Sequence, residues 1–121
     1  MPDRVFELDG VRIIECAADG RPVRTSQDAI DLIGEARSHQ ADLVVIPVER
    51  LGDGFLRLRT GIAGEVIQKF VTYGVRLAVL GDISQHLNES SALRDFVREA
   101  NEGSHCMFVR NWEEIRHSSQ R

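Results

Sequence analysis

Short apolar runs alternate along this chain with longer amphipathic stretches. Residues 5–8 and 11–16 are apolar-rich runs on either side of Asp9-Gly10. That pattern predicts a β-hairpin, because glycine supplies the positive φ that a two-residue turn needs. Gly20 and Pro22 mark a loop, after which Thr25 or Ser26 caps a helix and Asp28 is placed to accept from first-turn amides. Ala29, Ile30, Leu32, Ile33 and Ala36 share one helical face, with Asp31, Glu35 and Ser38 on the other. Residues 41–48 form a near-continuous β-branched run, as expected of a strand buried on both faces of a parallel sheet. Pro47 lacks an amide hydrogen and belongs near the end of the ladder.

Gly52 and Gly54 then interrupt the chain before a long helical pattern over 55–73, closed by Gly74. Residues 75–80 read as a second buried strand, ending in Gly81-Asp82. Ser90 or Ser91 opens another helix, whose Leu93, Phe96, Val97 and Ala100 recur at i, i+3, i+4 and i+7 before Gly103. Residues 105–109 form a last strand. Asn111-x-x-Glu114 resembles a capping box for a terminal helix anchored by Trp112 and Ile115, with fraying expected from His117. The order β-β-α-β-α-β-α-β-α predicts a single α/β domain over 1–121. It has a mostly parallel sheet of four to five strands, helices on both faces and an N-terminal β-hairpin.

One stretch conflicts with its own pattern. On a helical wheel, Leu58, Ile62, Val66 and Phe70 fall within about 60° of Phe55, and Ala63 and Ile67 widen that face. Arg59 lands inside the apolar arc, where an arginine is costly unless paired and hydrogen-bonded. Either the helix breaks near Thr60-Gly61, or Arg59 is buried against a carboxylate or an anion. Gly61 and Gly64 weaken a helix interior, and a helix starting at Thr60 would present free amides to an anion. Close packing of helix on sheet explains the same glycines.

Polar residues also gather at the strand ends. Glu49-Arg50 follows the first buried strand and Asp82 the second. Ligands of open parallel sheets sit beyond the carboxyl ends of the strands. Glu49, Arg59, Thr60, Gly61, Glu65 and Asp82 are therefore the candidate ligand-binding residues, with His86 nearby. An i, i+4 salt bridge from Glu65 to Lys69, or an ion pair of Arg59 with Glu49 or Asp82, accounts for several of them structurally.

Composition narrows the chemistry. The net charge is −4 and the charges are interspersed, without the basic stripe of a nucleic-acid binder. No run approaches a membrane span, and the polar start Met1-Pro2-Asp3-Arg4 argues against a signal peptide, so a cytoplasmic location is expected. Cys16 and Cys106 lie in apolar runs with no metal-ligand spacing, which predicts buried free thiols and no metal site. His39 and His117 read as surface residues and His105 as part of a strand. There is no nucleophile elbow, P-loop or dinucleotide fingerprint, and no cofactor is expected.

The run Ala41-Asp-Leu-Val-Val-Ile-Pro-Val-Glu-Arg-Leu, the segment Phe55-x-x-Leu-Arg-Thr-Gly-x-Ala-Gly-Glu-x-x-Gln-Lys-Phe70 and the strand Arg76-Leu-Ala-Val-Leu-Gly-Asp-Ile-Ser84 resemble bacterial domain-of-unknown-function family 4180. Ala92-Leu-Arg-Asp-Phe-Val-Arg-Glu and Trp112-Glu-Glu-Ile look similar to it as well, so the resemblance covers nearly the whole chain. More distantly, the element order resembles the STAS domains of the anti-sigma-factor antagonist type. In those, a Ser or Thr at a helix N-terminus is phosphorylated to switch partner binding. Thr60 is the nearest match by position, although Gly52-Asp53-Gly54 stands where those domains carry an Asp-Ser-Ser-Gly-type loop.

Two functions follow as expectations. The first is a non-enzymatic STAS-like regulatory or interaction module, homodimeric, meeting a protein partner through residues 52–65. Phosphate on Thr60 would there repel Asp53 and Glu65 or attract Arg57 and Arg59. The second is a small-molecule site in the strand-end crevice. Arg59 would hold an anionic ligand, with Glu65, Glu49 or Asp82 as acid–base groups.

Overall fold

The computed structural model describes residues 3–119, and its side chains through Arg116. Strand β1 (Arg4–Leu8) and β2 (Val11–Glu15) form the expected hairpin, in the register Leu8↔Val11 to Arg4↔Glu15. Asp9 and Gly10 turn it with φ of 50° and 83°. Two positive φ values match the right-handed twist of the flanking strands, which is why Asp-Gly serves here.

From β2 onward the chain moves one strand over at each step. Helix α1 (Ser26–Ser38) leads to β3 (Leu43–Pro47), and α2 (Ile62–Tyr73) leads to β4 (Arg76–Leu80). Helices α3 (Ser84–Glu89) and α4 (Ser91–Glu102) lead to β5 (Cys106–Val109), and α5 (Trp112–Ser119) follows. The sheet order is β1-β2-β3-β4-β5, antiparallel only at the hairpin. Successive right-handed crossovers in one direction place their helices on one face. Accordingly Leu32 and Ile33 of α1, Val66 and Phe70 of α2 and Phe96 and Val97 of α4 pack with Ile14, Val44, Ile46, Leu77, Val79 and Phe108. The alternate residues Ile13, Leu43, Val45, Ala78 and Val109 form a second core with Trp112 and Ile115 of α5. Helices thus cover both faces, unequally.

Local chemistry explains the boundaries. Thr25 caps α1 by accepting from the Asp28 amide, and Asp28 reciprocates by accepting from the Arg24 and Thr25 amides at 2.9 and 3.1 Å. Ser90 caps α4, and Asn111 Oδ1 accepts from the Glu114 amide at 3.0 Å to open α5. Gly74 ends α2 with φ of 70°, a left-handed cap that suits glycine. Pro47 pairs with Leu80 at the last register position of β3, where the ladder no longer needs its missing amide.

Several boundaries differ from the sequence pattern. The helical stretch over 55–73 is interrupted: a short 3-10 turn, Leu58–Thr60, stops at Gly61, whose φ of 76° resets the chain before α2. The break leaves Arg59 exposed, which resolves the conflict on the wheel without a buried charge. The six-residue α3 is an addition to the expected order. The tail expected to fray from His117 is helical through Ser119, while the His117 side chain lies outside the described residues. His39 is exposed, and His105 sits one residue ahead of β5. Both cysteines are buried free thiols, their pKa pushed up to about 12 chiefly by desolvation.

The Asp28 cap makes stability depend on acid. Burial alone raises its pKa, but the Arg24 and Thr25 amides and the Arg21 guanidinium outweigh that, and the net shift is downward. A carboxylate depressed in the folded state stabilises the fold above its unfolded pKa of about 3.9 and loses that effect as pH falls through the folded value. Asp28→Ala is expected to cost about 1–2 kcal/mol at neutral pH. Urea midpoints of parent and variant should converge between about pH 5 and pH 2. A gap of constant size through that window would assign the loss to packing alone.

Candidate functional site

The connections leaving β4 and β5 diverge. After β4 the chain turns through Gly81-Asp82 into α3 on the many-helix face, whereas after β5 it turns through Arg110-Asn111 into α5 on the other. Neighbouring strands whose chains part to opposite faces leave a crevice at their carboxyl ends. One is present, with a volume of about 360 Å³. Val79, Ile83 and Phe108 line its floor, Leu87 and Val97 its walls, and Asp82, Ser84, Asn101, Arg110 and Glu114 bring polar groups to it.

Each polar group is positioned by a specific bond. Asp82 Oδ1 accepts from the Ser84 amide at 2.9 Å, an Asx-turn that starts α3. That hydrogen bond, with the Ser84 hydroxyl and the Arg110 charge, lowers the Asp82 pKa. Glu114 accepts from the Arg110 amide at 2.9 Å and from its guanidinium at 3.3 Å, so the Arg110 charge is largely matched. The Asn101 amide bonds both ways to the Phe108 backbone, at 2.7 and 3.3 Å. It mimics a neighbouring strand and closes that part of the β5 edge. Gly81 has φ of 146°, and a Cβ there would lie 2.5 Å from Val48 Cγ2, so the bend at the crevice mouth requires glycine.

Of the six residues expected to converge at the strand ends, Asp82 lines this crevice and the other five do not. Glu49 is exposed on the 3-10 turn Val48–Arg50. Thr60 and Gly61 end the following loop, where Thr60 Oγ1 lies 2.8 Å from the carbonyls of both Gly54 and Arg57. Arg59 is exposed beside them. Glu65, in the first turn of α2, lies 3.4 Å from the Ser26 hydroxyl, linking the starts of α1 and α2. His86 joins a second hollow of about 200 Å³, lined also by Val48, Leu51, Asp53, Leu56 and Arg57.

The loop itself is tightly made. Its turns are closed by Phe55 N to Gly52 O, Arg57 N to Gly54 O and Thr60 N to Arg57 O, at 3.2, 3.1 and 3.0 Å. Phe55 anchors it, fully buried. Among the described residues, Arg24, Arg57 and Arg59 form no ion pair, and all three are exposed. Arg24 adjoins Gly52, where a Cβ would press on its side chain.

Sequence reasoning missed the buried arginine, which is Arg50. Its guanidinium donates to the carbonyls of Arg21 at 2.7 Å and Ala17 at 2.8 Å. It also missed the crevice residues of α3, α4 and α5. The usable signal was that two adjacent apolar strands both end in a charged residue, Asp82 and Arg110.

The fold and these sites together define an α/β domain with a mostly parallel five-stranded sheet. The chain belongs to the family described as Domain of unknown function (DUF4180), whose model matches residues 8–118. Neither the curated proteins nor the solved structures contain a match to it. Among the described residues no helix is long and apolar enough to cross a membrane, and no three His, Cys, Asp or Glu side chains are grouped to hold a metal ion.

Proposed function

We propose that this domain is a non-enzymatic, STAS-like regulatory or interaction module that receives an acidic protein surface on residues 52–65. The observation that supports this reading is the set of exposed guanidinium groups without ion pairs, Arg24, Arg57 and Arg59, around a loop already held by its own hydrogen bonds. Arginine presents a planar fork that suits carboxylates, and a preorganised loop loses little freedom on binding. On α2, Ala63, Val66 and Phe70 are buried, and Ile62 and Ile67 pack partly buried against the same core. The partner, a second copy or another protein, is therefore met through charge.

Thr60 is the proposed switch. Its hydroxyl donates to a loop carbonyl and lies 3.3 Å from the Ile62 amide at the start of α2. A phosphoryl group there removes that donor and brings negative charge among Arg57 and Arg59, which reshapes the loop and masks its charge.

The test is a photoreactive residue placed at position 59 in the native host, with position 102 on α4 as the control. A discrete adduct from 59 and none from 102 is expected, and an adduct of doubled mass would identify the partner as a second copy. Reversing two charges with Arg57→Glu and Arg59→Glu should weaken partner binding at least about tenfold. Equal labelling from both positions, or binding indifferent to the reversal, would overturn the proposal.

A further inference from the structure

The β4–β5 crevice shares no lining residue with the proposed docking loop and has its own chemistry. Its volume of about 360 Å³ falls within the range of small-molecule sites, roughly 300–1,000 Å³, and is too small to seat a folded partner. The floor and walls are apolar, from Val79, Leu87, Val97 and Phe108. They are fixed by regular elements rather than by loops, since these residues lie on β4, α3, α4 and β5.

The polar groups favour one sign of ligand. Arg110 is held by Glu114 through its amide and its guanidinium. Asn101 is engaged with the Phe108 backbone. Asp82 accepts from the Ser84 amide through Oδ1 and from the Ser84 hydroxyl, and among the described residues it forms no ion pair. The crevice therefore offers one carboxylate in excess, with a hydroxyl from Ser84 beside it. An anion would meet two carboxylates and a guanidinium already matched. A cation would meet Asp82 at the mouth of an apolar hollow.

We propose that the crevice between the carboxyl ends of β4 and β5 binds a small organic amine, its ammonium group on Asp82 and its apolar body over Val79, Leu87, Val97 and Phe108. This site is independent of the loop that meets the protein partner. It also reverses the sign of ligand that the strand-end arginine suggests from sequence. The charge that decides the site comes from Asp82, and Arg59 takes no part.

The experiment follows backbone amide resonances of the full chain while 2-phenylethylamine is added. Phenylacetate, with a similar ring and chain but the opposite charge, is the control. The amine should shift the amides of Ser84, Leu87, Val97 and Phe108 to saturation, and phenylacetate at the same concentration should not. Asp82→Asn keeps an oxygen for the Ser84 amide and so preserves the turn, but it should weaken amine binding about fivefold or more. Val97→Trp fills the hollow and should abolish the shifts. Overturning results are shifts located elsewhere or absent, phenylacetate binding as well as the amine, or an Asp82→Asn protein that binds the amine unchanged. Failure here leaves the crosslinking at position 59 unaffected, so the two proposals stand or fall separately.

Discussion

Replacing Arg50 with alanine is expected to destabilise the protein by about 3 kcal/mol, lowering its unfolding temperature by roughly 10 °C. Arg50 is 8% exposed, and it ties two parts of the chain together with both its side chain and its backbone. The guanidinium donates to Ala17 and Arg21 on the loop between β2 and α1. The Arg50 carbonyl accepts from the Val23 amide at 2.7 Å, and Gly52 donates to the Val23 carbonyl at 3.1 Å. Alanine would keep the backbone bonds and lose the side-chain ones. Two carbonyls would then compete for whatever water reaches them, and loss of the guanidinium would leave a void beside Gly20. Hydrogen bonds from a charged donor contribute about 1.5–3 kcal/mol each, and truncation leaves part of the desolvation cost in place. Lysine cannot reproduce two diverging donors from one planar group, so Arg50→Lys should recover less than half of the loss. Urea unfolding with an unchanged slope is the measurement. A loss below about 1 kcal/mol for Arg50→Ala would show that water replaces the guanidinium at little cost.

The buried arginine was not legible in the sequence: the conflict seen there concerned Arg59, and of its two resolutions the structure takes the helix break at Gly61. The wheel pointed to Arg59 because Phe55 and Leu58 continue the apolar spacing of α2 backward through Gly61. Phe55 does face inward, but from a loop, and Leu58 stays half-buried on a 3-10 turn. A three-residue spacing is too close to 3.6 for the pattern to distinguish the two. The hairpin, the α1 cap and the inner strands were legible because each rests on local chemistry: Asp9-Gly10, Thr25 with Asp28, and the apolar runs that became β3 and β4. Helix α3 was not, since Leu87 is the only large apolar residue among its six and no periodicity can form. The crevice was half legible. Asp82 at a strand end was a sound candidate, but the site depends on α3 and α5 lying on opposite faces of the sheet. Which face a chain takes after a strand is decided by the whole topology and leaves no mark on the residues at the exit.

The lone helix over the second face carries the other large effect. Ile13, Leu43, Val45 and Ala78 are fully buried on that face, and among the described residues α5 is the helix packed there. Its hold is mostly apolar. Ile115 is fully buried, and Trp112 meets Phe6 of β1 with ring centroids 5.5 Å apart, so α5 spans from the β5 edge to the hairpin. The Arg116–Asp9 pair at 3.2 Å adds a polar contact at the hairpin turn, but an exposed pair contributes under about 1 kcal/mol. Ile115→Ala should therefore cost about 3 kcal/mol and Ile115→Val about 1 kcal/mol, graded by the volume removed. Arg116→Ala should change stability by less than about 1 kcal/mol. A chain ending at Asn111 should bind a hydrophobic dye and self-associate, because the uncovered sheet face presents a contiguous apolar surface. Ile115→Ala and Arg116→Ala proving equally mild would mean that the strands bury this face without help. A truncated chain that stayed monomeric and dye-free would lead to the same conclusion by an independent route.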